Sequence, residues 1–172
     1  MITLREVYHI IINKVKKVGL TPDLLSLEMS LARGKIYGLI GVNGSGKTTT
    51  LKMILGLLAP TRGSISVFGY NPLEFPPILK NKIGYVAERH PLYPEMTISQ
   101  IGDYQSNFFS NWSQETFETL AYFFDLKLDN IIGKISNGER AQVYLALVIA
   151  QQPELLIMDD PTLDFSSILT YY

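Results

Sequence analysis

Short apolar runs broken by glycine, proline and polar turns recur along most of this chain, and their lengths and periods sort them into elements. Residues 36–40 and 83–87 are short, nearly continuous apolar runs, which predict buried strands. Leu155, Leu156, Ile157 and Met158 form a third such run, closed by Asp159, Asp160 and Pro161. Alternation of Leu25, Leu27, Met29 and Leu31 predicts a strand over 24–31 that stops at the Arg33-Gly34 turn. Ile65 and Val67 alternate with polar neighbours and predict a strand over 64–68. The β-branched residues of 7–18 predict one or two more. Helical spacing fits 98–109 and 114–124, with Ser113 placed to cap the second, and residues 49–58 and 141–150 read as apolar helices. Residues 69–77 hold three prolines and read as loop. Strands alternating with helices argue for an α/β core.

The aromatic residues cluster between 88 and 134. Tyr93, Tyr104, Phe108, Trp112, Phe117 and Phe124 are among them. The plain reading is a small helical core; the sharper one is a groove for a helix of another protein. Charge narrows the classes of partner. Fifteen Lys and Arg stand against 16 Asp and Glu in 172 residues, a net charge of −1, so the chain lacks the basic excess of a nucleic-acid binder. Lys14, Lys16 and Lys17 read as a solvated edge or turn. Without cysteine, disulfide and thiol chemistry are excluded. No apolar run reaches the roughly 20 residues that span a bilayer, and the start lacks a signal-peptide layout. A cytoplasmic protein, or one held peripherally on a membrane by a partner, is expected.

Between the 36–40 run and the helix after it, Gly41, Val42, Asn43, Gly44, Ser45, Gly46, Lys47, Thr48 and Thr49 match the pattern G-x-x-x-x-G-K-[ST] without a mismatch. With glycine near 7% of residues, chance gives this in roughly one chain in a hundred of this size. Glycines let successive backbone N–H groups close on the phosphates of a nucleotide. The lysine brings a point charge to the outer phosphates, and the hydroxyl of Thr48 can ligate Mg²⁺. The following helix aims its positive end at the same anion. A nucleotide with Mg²⁺ is the expected ligand.

Two later motifs fit that chemistry. An apolar strand ending in Asp159 puts a carboxylate in the crevice where α/β sheets bind ligands, and a loop-bound nucleotide needs such an oxygen to hold its metal. Asp160 is placed to take a proton from an attacking water, or is only a turn residue before Pro161. Ser136, Asn137, Gly138 and Glu139 precede the 141–150 helix. They read as a capping box and equally as an open helix end for a phosphate; the sequence leaves both open.

The order of phosphate loop, then Tyr85-Val86-Ala87-Glu88, then Ile135 to Glu139, then Leu155 to Asp160 resembles the nucleotide-binding domain of ABC transporters, in particular the short ATPase subunits of ABC-2-type exporters. The resemblance covers residues 7–162. It implies a P-loop NTPase fold of the α/β class: a mostly parallel core sheet with helices, an antiparallel β portion at the N-terminus and a small helical subdomain. It divides the chain into a β-rich core over 1–87, the helical subdomain over 88–134, and the signature helix, the acid-ending strand and an atypical tail over 135–172. It implies a head-to-tail dimer in which each ATP lies between residues 41–49 of one copy and Ser136, Asn137, Gly138 and Glu139 of the other. Asp159 is then a magnesium ligand, Asp160 the catalytic base, and Glu88 a metal-contacting residue that reports to a membrane permease docked near 88–112. The implied activity is ATP hydrolysis that powers export.

The chain departs from the family pattern at several positions. The signature carries Ile135 for leucine, Asn137 for glycine and Glu139 for glutamine; Asn tolerates positive φ, and Glu139 adds a negative charge beside a phosphate unless Arg140 offsets it. Asp160 replaces a glutamate and is one methylene shorter, which predicts slow turnover. Glu88 replaces glutamine. Val18-Gly19 falls where an aromatic residue stacks on adenine. Asp164 arrives two residues early, residues 165–172 match nothing in the family, and no histidine takes the switch position, His9 and His90 being elsewhere. A C-terminally truncated chain with an incomplete sheet is therefore expected, with the 36–40 strand lacking neighbours. The alternative function is a nucleotide-binding module with little or no hydrolysis. A soluble ABC ATPase of translation or repair fits less well, since such proteins carry two nucleotide domains or long coiled coils.

Overall fold

A computed structural model describes residues 10–16, 27–87 and 91–159. Its contacts divide the chain between Lys80 and Asn81 into two units.

In the first unit, strands β1 (Ile10–Lys16), β2 (Leu27–Leu31) and β3 (Arg62–Ser66) form an antiparallel sheet in the order β2-β1-β3. Ile12 pairs with Met29 on one side and Ile65 on the other. The register shifts on both sides near Asn13 to Lys16, so residues 14–16 lie at an irregular stretch of the central strand rather than on an edge. Alternation lets any strand send every second residue to one face, so a lysine pair alone does not mark an edge. Ile65 and Val67 are buried, as their alternation predicts. The chain then reverses through Phe68 and Gly69, both with positive φ, and Val67 and Tyr70 exchange backbone hydrogen bonds of 2.9 and 3.0 Å. This is the geometry of a two-residue hairpin turn whose twist suits the strands it joins.

Helix α1 (Lys47–Ile54) stops four residues short of the predicted end. Gly56 explains the difference. Its φ is 70°, its N–H reaches the Met53 carbonyl at 3.1 Å, and the Leu57 N–H reaches the Lys52 carbonyl at 2.9 Å. That bond pair is a Schellman stop. A Cβ at Gly56 would also run into the Pro72 backbone. Only one side of α1 is well buried, through Thr50, Met53 and Ile54, and Leu57 beyond it is exposed. The 69–77 stretch contains a 3-10 turn over Pro72–Glu74, capped by Asn71, before the short helix α2 (Pro77–Lys80).

The strand predicted over 36–40 does not form: these residues have no regular structure, and Ile36 and Ile40 are 79% and 95% exposed. A buried strand needs a hydrogen-bonding neighbour and apolar cover. Among the described residues no segment pairs with it. Apolar content alone does not make a strand.

In the second unit, β4 (Ile83–Val86) and β5 (Leu155–Met158) pair in parallel, with Tyr85 opposite Ile157. Gly84 gives the close approach this pair needs, since a Cβ there would meet Val148 at 2.7 Å. Helices α3 (Ile98–Ser106), α4 (Gln114–Phe123) and α5 (Asn137–Ala150) enclose a core of Ile98, Ile101, Phe117, Ile132, Val143 and Leu147. The Phe117 ring lies against Gly102, where a Cβ would come within 2.6 Å of it. Thr97 and Gln100 cap α3 reciprocally, and Ser113 caps α4 as expected, accepting from the Thr116 N–H at 3.1 Å. Helix α3 ends before 109 because Ser106 and Asn107 side chains take the Asp103 carbonyl, each at 2.7 Å, in competition with further helix. Of the aromatics, Phe117 is core and Trp112 and Phe124 pack on it; Tyr93, Tyr104, Phe108, Tyr122 and Phe123 stay exposed. The plain core reading therefore holds for only part of the set.

Candidate nucleotide site

The phosphate-loop residues enter α1 through two glycines in left-handed conformation, Gly44 at φ 79° and Gly46 at φ 95°. Gly46 is the N-cap of α1 and offers no side-chain bond; the first turn carries no acid. The first N–H groups of α1 and its positive end therefore lack a side-chain cap. The Ser45 N–H closes on the Val42 carbonyl at 3.1 Å, and the Thr50 N–H on the Gly46 carbonyl at 2.8 Å. Gly41 leaves room for the Ser45 hydroxyl, which a Cβ would approach to 2.6 Å. The Lys47 ammonium donates to the Gly41 and Val42 carbonyls at 2.7 and 3.1 Å. Two of its three protons are thus held by the loop, which fixes the charge above the loop and leaves a third for a ligand. Gly41, Val42, Asn43 and Gly44 are exposed, and Ser45, Gly46, Lys47, Thr48 and Thr49 are half-buried. The assembly is an open cationic cradle of backbone N–H groups, suited to a polyphosphate.

In the second unit, Asp159 follows β5 directly and is 6% exposed. Its N–H donates to the Val86 carbonyl at 2.9 Å, and the Tyr85 hydroxyl donates to its Oδ2 at 3.4 Å. A buried carboxylate at the end of a parallel strand is a hard oxygen donor of the kind Mg²⁺ takes, and that ion needs only one or two carboxylates from a protein. Among the described residues no cluster of three or more His, Cys, Asp or Glu could hold a metal.

Ser136 caps α5. Its hydroxyl accepts from the Glu139 N–H at 3.1 Å, and the Glu139 carboxylate accepts from the Ser136 N–H at 2.8 Å. Hydrogen bonding to the carboxylate, from the Ser136 side chain first and its N–H second, holds the Glu139 carboxyl below the usual carboxylate range. Asn137 is the first helical residue and is not among the described non-glycine residues with positive φ, so its tolerance of that region is not called on. A Cβ at Gly138 would lie 3.9 Å from the Ser136 hydroxyl. Arg140 turns away: its Nη2 donates to the Ile132 carbonyl at 3.2 Å. Glu88, Asp160, His9, His90, Val18 and Gly19 lie outside the described residues. The Tyr85 hydroxyl is the contact that sequence reading misses, because it depends on which strands pair and in what register.

The family model for ABC transporters matches residues 24–163. The bacitracin transport ATP-binding protein BcrA of Bacillus licheniformis is 32% identical over 155 residues, which are 86% of this chain and 49% of that protein. The Nod factor export ATP-binding protein I of Burkholderia orbicola is 32% identical over 87% of this chain and 51% of its own length. The zinc uptake system ATP-binding protein ZurA of Listeria monocytogenes is 31% identical over 87% and 63%. This chain therefore spans about half to under two thirds of these three relatives. A solved ATP-binding subunit of an ABC transporter superposes with a TM-score of 0.76 at 29% identity, over 90% of this chain and 67% of that one. An ATP-binding protein from Pyrococcus furiosus shares the fold, with a TM-score of 0.78 at 23% identity. Fold, motif order and the matched span agree, and this chain belongs to the ABC transporter family.

Proposed function

We propose that this chain binds ATP through residues 41–49 and serves as the ATP-hydrolysing part of an ABC-type exporter. The observation that carries this is the cradle itself: left-handed Gly44 and Gly46, an α1 end without a side-chain cap, and Lys47 held over the loop carbonyls. In this reading Thr48 of the first unit and Asp159 of the second share one Mg²⁺, which would offset charge on the outer phosphates. Glu88 adds a contact near that ion. Asp160 takes the proton of the water that attacks the γ-phosphate in line. The protein supplies positioning and charge rather than covalent chemistry.

A second copy, packed head to tail, presents Ser136, Asn137, Gly138 and Glu139 to the same ATP. An integral membrane permease docks on the helical part and holds the chain at the inner face of the membrane. One observation supports that docking. Tyr93, Tyr104 and Phe108 form an exposed edge-to-face series with centroids 5.5 and 5.0 Å apart, and aromatic anchors of this kind are enriched at interfaces. The neighbouring Tyr93 side chain pushes the Tyr104 hydroxyl above its ordinary value. Relatives named for bacitracin transport and Nod factor export favour an exporter.

The alternative is a module that binds nucleotide and pairs but hardly turns over. The Glu139 carboxylate favours it, since it occupies the end of α5 with no Arg140 contact to offset its charge. ATP binding and steady-state phosphate release, compared with Lys47→Ala, test both readings. ATP bound by the wild type and lost in the variant is the result expected. Phosphate release above the variant's supports the enzyme; equal release with ATP still bound selects the module; equal ATP binding by both proteins rejects the site.

A further inference from the structure

We infer that Tyr85 is a positioning residue for Asp159, orienting its carboxylate toward the metal. The inference rests on the reading of Asp159 as a magnesium ligand. The parallel register sets Tyr85 opposite Ile157, and alternation puts Asp159 on the same face as Ile157, diagonal to Tyr85. The hydroxyl reaches Oδ2 from there, at 3.4 Å.

The physical need for such a contact is specific. The backbone of Asp159 is fixed by its bond to Val86, but a carboxylate turns about a broad, two-fold torsion. At 6% exposure water contributes little to choosing its orientation. A phenol donating to Oδ2 restrains the plane of the carboxylate, and with it the direction in which its oxygens face a hard cation. Outer-shell bonds to ligating carboxylates act in this way in metal sites generally. The distance exceeds the roughly 2.5–3.0 Å of a strong O–H···O bond, so the contact is weak and the phenol biases the carboxylate without competing strongly for it. Both groups have further contacts, and the phenol is one restraint among several.

Tyr85→Phe keeps the ring and removes only the donor. ATP affinity of the 172-residue chain is measured by calorimetry in EDTA and again in saturating Mg²⁺, beside a thermal melt. The expected result is unchanged ATP affinity in EDTA and an unchanged melt, with the gain in affinity conferred by Mg²⁺ reduced about tenfold. A gain within twofold of the wild type overturns the inference, as does an equal loss with and without metal. A wild type whose affinity gains nothing from Mg²⁺ overturns the underlying reading of Asp159 instead. If Tyr85→Phe does not fold, 3-fluorotyrosine at position 85 keeps the shape and makes the hydroxyl a stronger donor. A shifted Mg²⁺ gain then supports the role, and an unshifted one overturns it.

Discussion

At Glu139 an observed structural role and a proposed functional one fall on the same carboxylate. As the third residue of α5 it completes a capping box, and a glutamine would serve that bond nearly as well. Its charge, however, lies where a phosphate from a second copy is proposed to bind. Glu139→Gln should therefore keep the helix while strengthening ATP-driven pairing of two chains, read by sedentation-type size measurements with and without ATP; weaker pairing in the variant would contradict this. Acid titration gives an independent check. The folded-state pKa lies below the ordinary 4.5 because of the Ser136 bonds. The ionised form is thus favoured by folding, its contribution is complete above about pH 4.5, and it is lost as the pH falls through the lowered value. The melting difference between wild type and Glu139→Gln should change only in that acid window. The capping box was legible in the sequence from Ser136 and Glu139 alone, whereas the position of Arg140 against Ile132 was not, because it depends on where the Ile132 backbone turns.

At the scale of elements, legibility follows locality. Helices α3, α4 and α5 and strands β3, β4 and β5 were readable because period and capping residues are local properties. Gly56 was present as a stop signal for α1 but was outvoted by the apolar residues around it. The 36–40 segment is the instructive failure. Its composition is that of a buried strand, yet pairing partners decide whether such a run becomes one, and those are not local. Its exposure makes a sharp prediction. Ile40→Lys should change stability by no more than about 0.5 kcal/mol, as an exposed substitution does. Phe117→Ala, at 1% exposure in the second unit, should cost about 3–5 kcal/mol. Denaturant melts of both variants would check this, and a loss of several kcal/mol at Ile40 would mean that the segment is covered in solution.

For the whole molecule, the proposed function draws on groups from each unit: the phosphate cradle with Thr48 in the first, and Asp159 with the α5 end in the second. The motif order along the sequence places these groups far apart in the chain, and the reading that they serve one ion is a proposal about the assembled chain with its ligand. The most direct test is a double-mutant cycle on Thr48→Val and Asp159→Asn, reading the ATP affinity gained from Mg²⁺. If both oxygens serve one ion, either substitution removes most of the gain and the pair removes little more, a coupling on the order of 0.5–3 kcal/mol. Losses that add to within about 0.3–0.5 kcal/mol would show that Thr48 and Asp159 act independently, and the shared metal would have to be abandoned.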